Sequence, residues 1–258
     1  DVLSSVILYG PAGTGKTTLI AALVAALKEL RIKPVLLAPT GRAAKVLARY
    51  CGEQALTIHK RIYRQRTNAD YESKFSLDFN REQGAVFIVD EASMLSDSTG
   101  DGALFGSGSL LEDLVSYVRS GRGCRLILVG DSAQLPPVGC DFSPALDPAT
   151  VSRYGEVVYG LMDEVVRQQM QSGILFNATL VRCMLENRIY EIPKFEMDYP
   201  DFESVEGGDF MEKLQDAFDR YGRDEVIVIT RSNKRANRYN EGIRRYILSA
   251  EEEIESGD

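Results

Sequence analysis

The chain has 258 residues, of which 44% are hydrophobic and 26% charged, and a formal net charge of −8. That suits one large or two modest domains of an ordinary globular kind. The acidic balance argues against a protein that coats nucleic acid with a generally basic surface, but not against a local basic groove. Four scattered cysteines (Cys51, Cys124, Cys140, Cys183) without a C-x-x-C pair, and a single histidine, indicate neither a zinc site nor a disulfide framework. With no apolar run of membrane-spanning length and no leader pattern, the expected location is cytoplasmic.

The first apolar run, Val6-Ile7-Leu8-Tyr9, leads into Gly10-Pro11-Ala12-Gly13-Thr14-Gly15-Lys16-Thr17 and then an alanine- and leucine-rich segment, Thr18 to Leu30. This is strand, loop, helix. G-x-x-x-x-G-K-[ST] in that setting is the phosphate-binding loop, whose glycines let backbone N–H groups curl round an anion at the positive end of a helix. Residues Gly10 to Thr18 are therefore expected to bind a nucleotide. Lys16 reaches its β- and γ-phosphates, and Thr17 offers a hydroxyl to Mg²⁺. The bland alternative is a glycine-rich turn that happens to precede a lysine.

A second strand–loop–helix unit follows: Lys33 to Ala38, then Pro39-Thr40-Gly41-Arg42, then a helix from Ala43 to about Tyr50. Loops at the carboxyl ends of parallel strands share one edge, so Thr40 and Arg42 are expected near the phosphate loop, unless Thr40 is only a helix cap. The lone histidine lies in Thr57-Ile58-His59-Lys60-Arg61-Ile62-Tyr63. Lys60, Arg61, Arg64 and Arg66 interleave with Tyr63 and Tyr71, as on a strand-tracking surface or, equally, a solvated charged face. Thr67 to Gly84 reads as a small hairpin inserted between core strands.

Ala85-Val86-Phe87-Ile88-Val89 is a core strand ending in Asp90-Glu91. Two adjacent acids at the tip of a buried strand gain no packing. As the second half of a nucleotide site, Asp90 holds Mg²⁺ and Glu91 activates the attacking water. Ser96 to Ser109 reads as an exposed, flexible loop, and Leu110 to Ser120 as a helix. Arg125 to Val129 is a further strand, delivering Gly130-Asp131-Ser132-Ala133-Gln134-Leu135-Pro136-Pro137, where Gln134 is placed to touch a γ-phosphate or its water. Later segments read as helices (Ile174 to Met184; Asp209 to Tyr221), an acidic connector (Asp198 to Gly208), a strand (Glu225 to Ile229) and a basic helix (Lys234 to Leu248).

Several ordered motifs together resemble superfamily 1B DNA helicases, the RecD-like, 5′-to-3′ class that includes Dda-type phage enzymes. Gly10 to Thr17 matches motif I, Leu37 to Ala44 motif Ia, Val89 to Met94 motif II and Val129 to Val138 motif III. Thr57 to Lys60 is similar to a DNA-contacting motif, and Leu161 to Gln168 resembles motif IV. The resemblance implies that Arg167 is a catalytic finger on the γ-phosphate and that Pro39, Thr40, His59, Lys60 and Arg61 contact single-stranded DNA. It also makes the hairpin at about 64–84 a strand-separating pin at single-strand/duplex junctions.

The expected fold is α/β: a RecA-like P-loop NTPase domain over residues 1–165, its parallel sheet covered by helices on both faces, then part of a second RecA-like domain over 166–258. The last helicase motifs and the upstream glutamine that usually meets adenine are absent, which reads as an excised piece rather than a degenerate relative. The expected activity of the parent protein is ATP-driven translocation and unwinding, with Lys16, Glu91, Gln134 and Arg167 catalytic and Thr17 and Asp90 on the metal, while this chain alone is expected to hydrolyse ATP weakly or not at all. Alternatives are an RNA helicase of the same superfamily, a nucleotide-binding fragment without motor activity and, more distantly, a phosphotransferase.

Overall fold

The computed structural model describes residues 3–11, 13–67, 73–97, 105–163 and 172–248. The chain divides into two compact units, residues 1–169 and 170–258.

Unit 1 is built on six parallel strands: β1 (Leu3–Tyr9), β2 (Pro34–Ala38), β3 (Ala55–Thr57), β6 (Val86–Val89), β7 (Arg125–Gly130) and β8 (Gly155–Leu161), in the order β3-β2-β6-β7-β1-β8. Between β3 and β6 the chain inserts a separate antiparallel pair, β4 (Tyr63–Thr67) and β5 (Ser73–Leu77). The helices are α1 (Lys16–Glu29), α2 (Gly41–Cys51), α3 (Ile58–Ile62), α4 (Leu110–Ser120) and the short α5 (Pro148–Val151).

Alternation along the strands assigns each helix to a face. Leu36, Val86, Ile88 and Val129 pack with Ile20, Val24 and Leu27 of α1 and Leu47 of α2. Their sequence neighbours Val35, Leu37, Phe87, Val89, Leu126 and Leu128 point the other way, onto Ile58 and Ile62 of α3 and Leu111, Leu114, Val115 and Val118 of α4. A sheet covered on both faces needs unbroken apolar strands, which is why β6 reads Val-Phe-Ile-Val with every residue buried. The expected parallel sheet with helices on both faces is present.

Two elements escaped the sequence reading for physical reasons. β8 is an edge strand, paired among the described residues with β1 alone, and its apolar run is short, Val157-Val158-Tyr159 between Glu156 and Gly160; Val158, Tyr159 and Leu161 remain exposed. β3 has three residues and passes directly into the one-turn α3, too short for either periodicity to register. The Ser96 to Ser109 segment departs from an exposed, flexible loop at its described carboxyl end. Phe105 to Ser109 is not a free exposed loop, since Phe105 stacks on Phe75 at 4.4 Å and Ser109 is buried as the N-cap of α4.

Unit 2 holds α6 (Gly173–Glu186), α7 (Phe210–Tyr221) and α8 (Asn233–Gly242). Asn177 is buried and pins α6 to the following segment: its amide donates to the carbonyls of Gly173 and Glu196, and its oxygen accepts from Glu196 N–H. The strand expected at Glu225 to Ile229 is not formed; Arg223–Glu225 is a 3-10 turn, and residues 226–230 pair with nothing that would make a ladder. A strand needs a partner, and unit 2 has no strand among its described residues, so Ile229 stays 87% exposed. Among the described residues, unit 2 forms no sheet. The basic helix also stops at Gly242 and continues as a π-turn, Ile243–Ile247.

Candidate nucleotide-binding cleft

Parallel strands send their following loops to one edge, and register makes this concrete: Tyr9 is opposite Gly130, Val89 opposite Leu128 and Leu37, and Ala38 opposite Thr57. Gly10, Pro39-Thr40, Ile58-His59, Asp90-Glu91 and Asp131 therefore all leave the carboxyl edge of the sheet. Gly13 to Thr18, Asp90, Glu91 and Gln134 line one cleft of about 700 Å³.

The loop is shaped by its own bonds. Gly13 and Gly15 have φ of 83° and 85°, in the left-handed region that suits glycine, and Gly15 caps α1 there. The Lys16 ammonium donates to the carbonyls of Gly10 and Pro11 at 2.7 and 2.8 Å, and the buried Thr14 hydroxyl donates to Pro11 at 2.9 Å. Gly10 is confined by contact: a β-carbon there would lie 2.1 Å from the Met162 carbonyl oxygen, because the end of β8 is bonded to Tyr9 through Met162 N–H at 2.8 Å.

Opposite the loop, the Asp90 carboxylate accepts from Glu91 N–H at 3.0 Å, and Glu91 takes a left-handed backbone (φ 54°) that turns it off the strand. Burial raises the Asp90 pKa, partly offset by the Glu91 N–H and by the charge of Lys16. Burial and then the neighbouring Asp90 charge also raise Glu91, against Lys16 and a hydrogen bond from Gln134. A half-buried carboxylate beside a like charge binds a proton more readily than usual, as suits a group that takes one from water. The Gln134 side chain is held as well, accepting from the Ser93 hydroxyl at 3.3 Å.

The donor set opposite Lys16 consists of hard oxygens, the Thr17 hydroxyl and the Asp90 carboxylate, which fits Mg²⁺ bound partly through water and nucleotide phosphates. Among the described residues no cluster of three or more His, Cys, Asp or Glu could hold a metal by itself.

The nucleic-acid candidates fall apart into separate roles. The Thr40 hydroxyl accepts from Ala43 N–H as the N-cap of α2, and Thr57 caps α3 in the same way through Lys60 N–H. His59 is half-buried edge-on to Phe105 (5.0 Å) and beside Tyr63 (5.6 Å), and burial lowers its pKa. Lys60 is exposed, Pro39 half-buried. Arg61 is held in the fold, its guanidinium bonded to Glu82 at 2.6 Å and set over the Tyr117 ring. Ala12 and Arg167 lie outside the described residues.

The sequence reading missed Leu19 and Ala22 of α1 and Val46 and Tyr50 of α2, which line the same cleft. The available signal was a pair of apolar residues four apart, Val46 and Tyr50, off the stripe of α2 that buries Ala44 and Leu47.

Residues 3–175 match the family described as an AAA domain. The chain belongs to this family. Its AAA domain is 32% identical over 133 residues to the ATP-dependent RecD2 DNA helicase of Deinococcus radiodurans, covering 52% of this chain and 16% of that protein. It is 34% identical to the ATP-dependent DNA helicase dda of Enterobacteria phage T4 (52% and 28% covered), and 33% identical to the RecBCD enzyme subunit RecD of Mycobacterium tuberculosis (62% and 31% covered). These relatives bear out the resemblance to RecD-like helicases. The matched part is at most 31% of their length. The Pif1 helicase structure from Candida albicans aligns over 74% of this chain and 42% of that one at 20% identity, with a TM-score of 0.43. Among the described residues no helix is long and apolar enough to cross a membrane.

Proposed function

We propose that the AAA domain is the ATP-hydrolysing motor unit of a DNA helicase, coupling turnover to 5′-to-3′ movement along single-stranded DNA and to duplex unwinding. The observation that carries the reading is the meeting of Lys16, Asp90, Glu91 and Gln134 in one cleft. A binding module needs the loop and the lysine; only a hydrolase needs the second acid with a glutamine bonded beside it.

In this reading the loop amides and Lys16 hold the triphosphate of ATP, and Lys16 exchanges its carbonyl partners for phosphate oxygens. Thr17 and Asp90 hold Mg²⁺, which supplies charge neutralisation across the phosphates. Glu91 takes a proton from the attacking water, Gln134 orients that water, and Arg167 neutralises charge on the transferring phosphoryl group. Pro39, Thr40, His59 and Lys60, at the same sheet edge, contact single-stranded DNA, and the β4–β5 hairpin divides the strands at a junction. Arg61 serves by holding α3 in place. The similarity to relatives named ATP-dependent DNA helicases supports the choice of DNA.

The test is ATP turnover by this chain with poly-dT, poly-U or no polymer, for the wild type and for Lys16→Ala and Glu91→Gln. Stimulation by poly-dT, loss of nucleotide binding in Lys16→Ala, and retained binding with turnover lower by about 10²- to 10⁴-fold in Glu91→Gln are expected. Stronger stimulation by poly-U transfers the reading to RNA; turnover unaffected by Glu91→Gln removes that residue from the mechanism.

A further inference from the structure

A two-stranded hairpin is marginal by itself, so something must fix β4–β5 to unit 1. Among the described residues, backbone bonds tie it at three points: Tyr63 N–H donates to the His59 carbonyl, Asp78 N–H to the Ile62 carbonyl at 2.7 Å, and Gly106 N–H to the Phe75 carbonyl at 2.9 Å. Four rings fill the space between: Phe105 stacks on Phe75 and meets Tyr63 at 5.3 Å and His59 at 5.0 Å. Rings supply adhesion but little direction, since they slide with small cost. Beyond those backbone bonds, one buried carboxylate supplies direction from the motor side. Asp113, in the first turn of α4, is 5% exposed; its Oδ2 accepts the Tyr63 hydroxyl at 2.6 Å and Ser107 N–H at 3.0 Å. Gly106 makes room for it, because a β-carbon there would stand 2.0 Å from that oxygen. Burial and then the bond to Asp113 push the Tyr63 pKa far up, so the phenol remains a donor at any physiological pH.

The other face of α4 belongs to the motor core, through Leu111, Leu114, Val115 and Val118. Its first turn is also tied to the segment that follows the catalytic acids, where Leu111 N–H donates to the Ser96 carbonyl at 3.0 Å. A rigid path thus runs from Glu91 through Ala92–Met94 and Ser96 to α4, and from Asp113 to the first residue of β4.

We propose that Asp113 is a positioning residue for strand separation: its bond with Tyr63 seats the hairpin at one angle to the motor sheet, so that unwinding depends on the bond while ATP turnover does not. The proposal rests on the helicase reading above. For adhesion alone a buried apolar pair would suffice, whereas a charge-assisted bond with two donors from separate segments fixes geometry as well.

The test is Tyr63→Phe, which keeps the ring and removes the hydroxyl. In the same preparation one measures DNA-stimulated ATP turnover, separation of a tailed duplex and backbone hydrogen exchange. Expected are turnover within about twofold of wild type and unwinding lower by about tenfold or more, the factor equivalent to one lost charge-assisted hydrogen bond. Exchange should be faster in residues 63–67 and 73–77 but unchanged in β6 and β7. Asp113→Asn, which keeps an acceptor for the phenol but removes the charge, should fall between. Unchanged unwinding, or turnover and unwinding falling in parallel, overturns the proposal. A wild type stimulated by poly-U and not by DNA counts against the DNA-helicase reading instead; where this chain alone neither unwinds nor turns over, the seat is decided by exchange, and equal exchange in the wild type and Tyr63→Phe refutes it.

Discussion

Gly10→Ala probes the phosphate loop through packing, with no charge or catalytic group removed. The added β-carbon would lie 2.1 Å from the Met162 carbonyl oxygen and 3.1 Å from that residue's own β-carbon. Such carbons are essentially never found within 3.0 Å of a backbone atom, so the loop or the end of β8 must give by roughly 1 Å. Two bonds hold that spot, Met162 N–H to Tyr9 at 2.8 Å and Gly10 N–H to Gly130 at 3.2 Å, so a shift of that size breaks at least one of them. Overpacking costs typically about 1–3 kcal/mol and a lost hydrogen bond about 1 kcal/mol, giving about 2–4 kcal/mol in all. Urea unfolding monitored by circular dichroism measures this directly, and calorimetric titration with ATP shows whether the displaced loop still closes on phosphate. A variant with wild-type stability and wild-type ATP affinity would refute the contact reasoning.

Three further outcomes follow from the electrostatics. Glu91 has a raised pKa in the folded chain, so its ionised form opposes folding above that pKa, and the opposition vanishes below the ordinary carboxylate value, where the group is neutral in both states. Glu91→Gln should therefore be more stable than wild type to urea at pH 7, with the difference closing towards pH 4; a variant less stable at pH 7 would contradict this. Glu82 shows the opposite sign: burial raises it, but bonds from Lys33 and Arg61 outweigh that and hold it below the usual range. Glu82→Gln should lose about 1–3 kcal/mol at neutral pH, and the loss should shrink as pH falls through the Glu82 pKa; a pH-independent loss would point to packing instead. Asp90→Asn should raise the Mg²⁺ concentration for half-maximal ATP turnover by about 10- to 100-fold, and an unchanged Mg²⁺ titration would take Asp90 off the metal.

Local chemistry alone made the nucleotide cleft legible. Gly13 and Gly15 with Lys16, and two acids at the end of an apolar run, announce themselves because backbone shape and charge at those points have few other uses. The buried strands β2, β6 and β7 were equally readable, since a sheet covered on both faces demands unbroken apolar runs. Long-range pairing was what decided the rest. Glu225 to Ile229 has the composition of a strand but no partner among the described residues of unit 2, while β8, whose apolar residues are interrupted by Glu156 and Gly160, forms because β1 offers it a ladder. Arg61 looked like a free cation until Glu82, 21 residues away, was seen to hold it. The Tyr63–Asp113 bond joins residues 50 apart. No window of sequence contains both ends of such a contact, so only the tertiary structure could distinguish an exposed loop and a charged face from the seat and the brace they form.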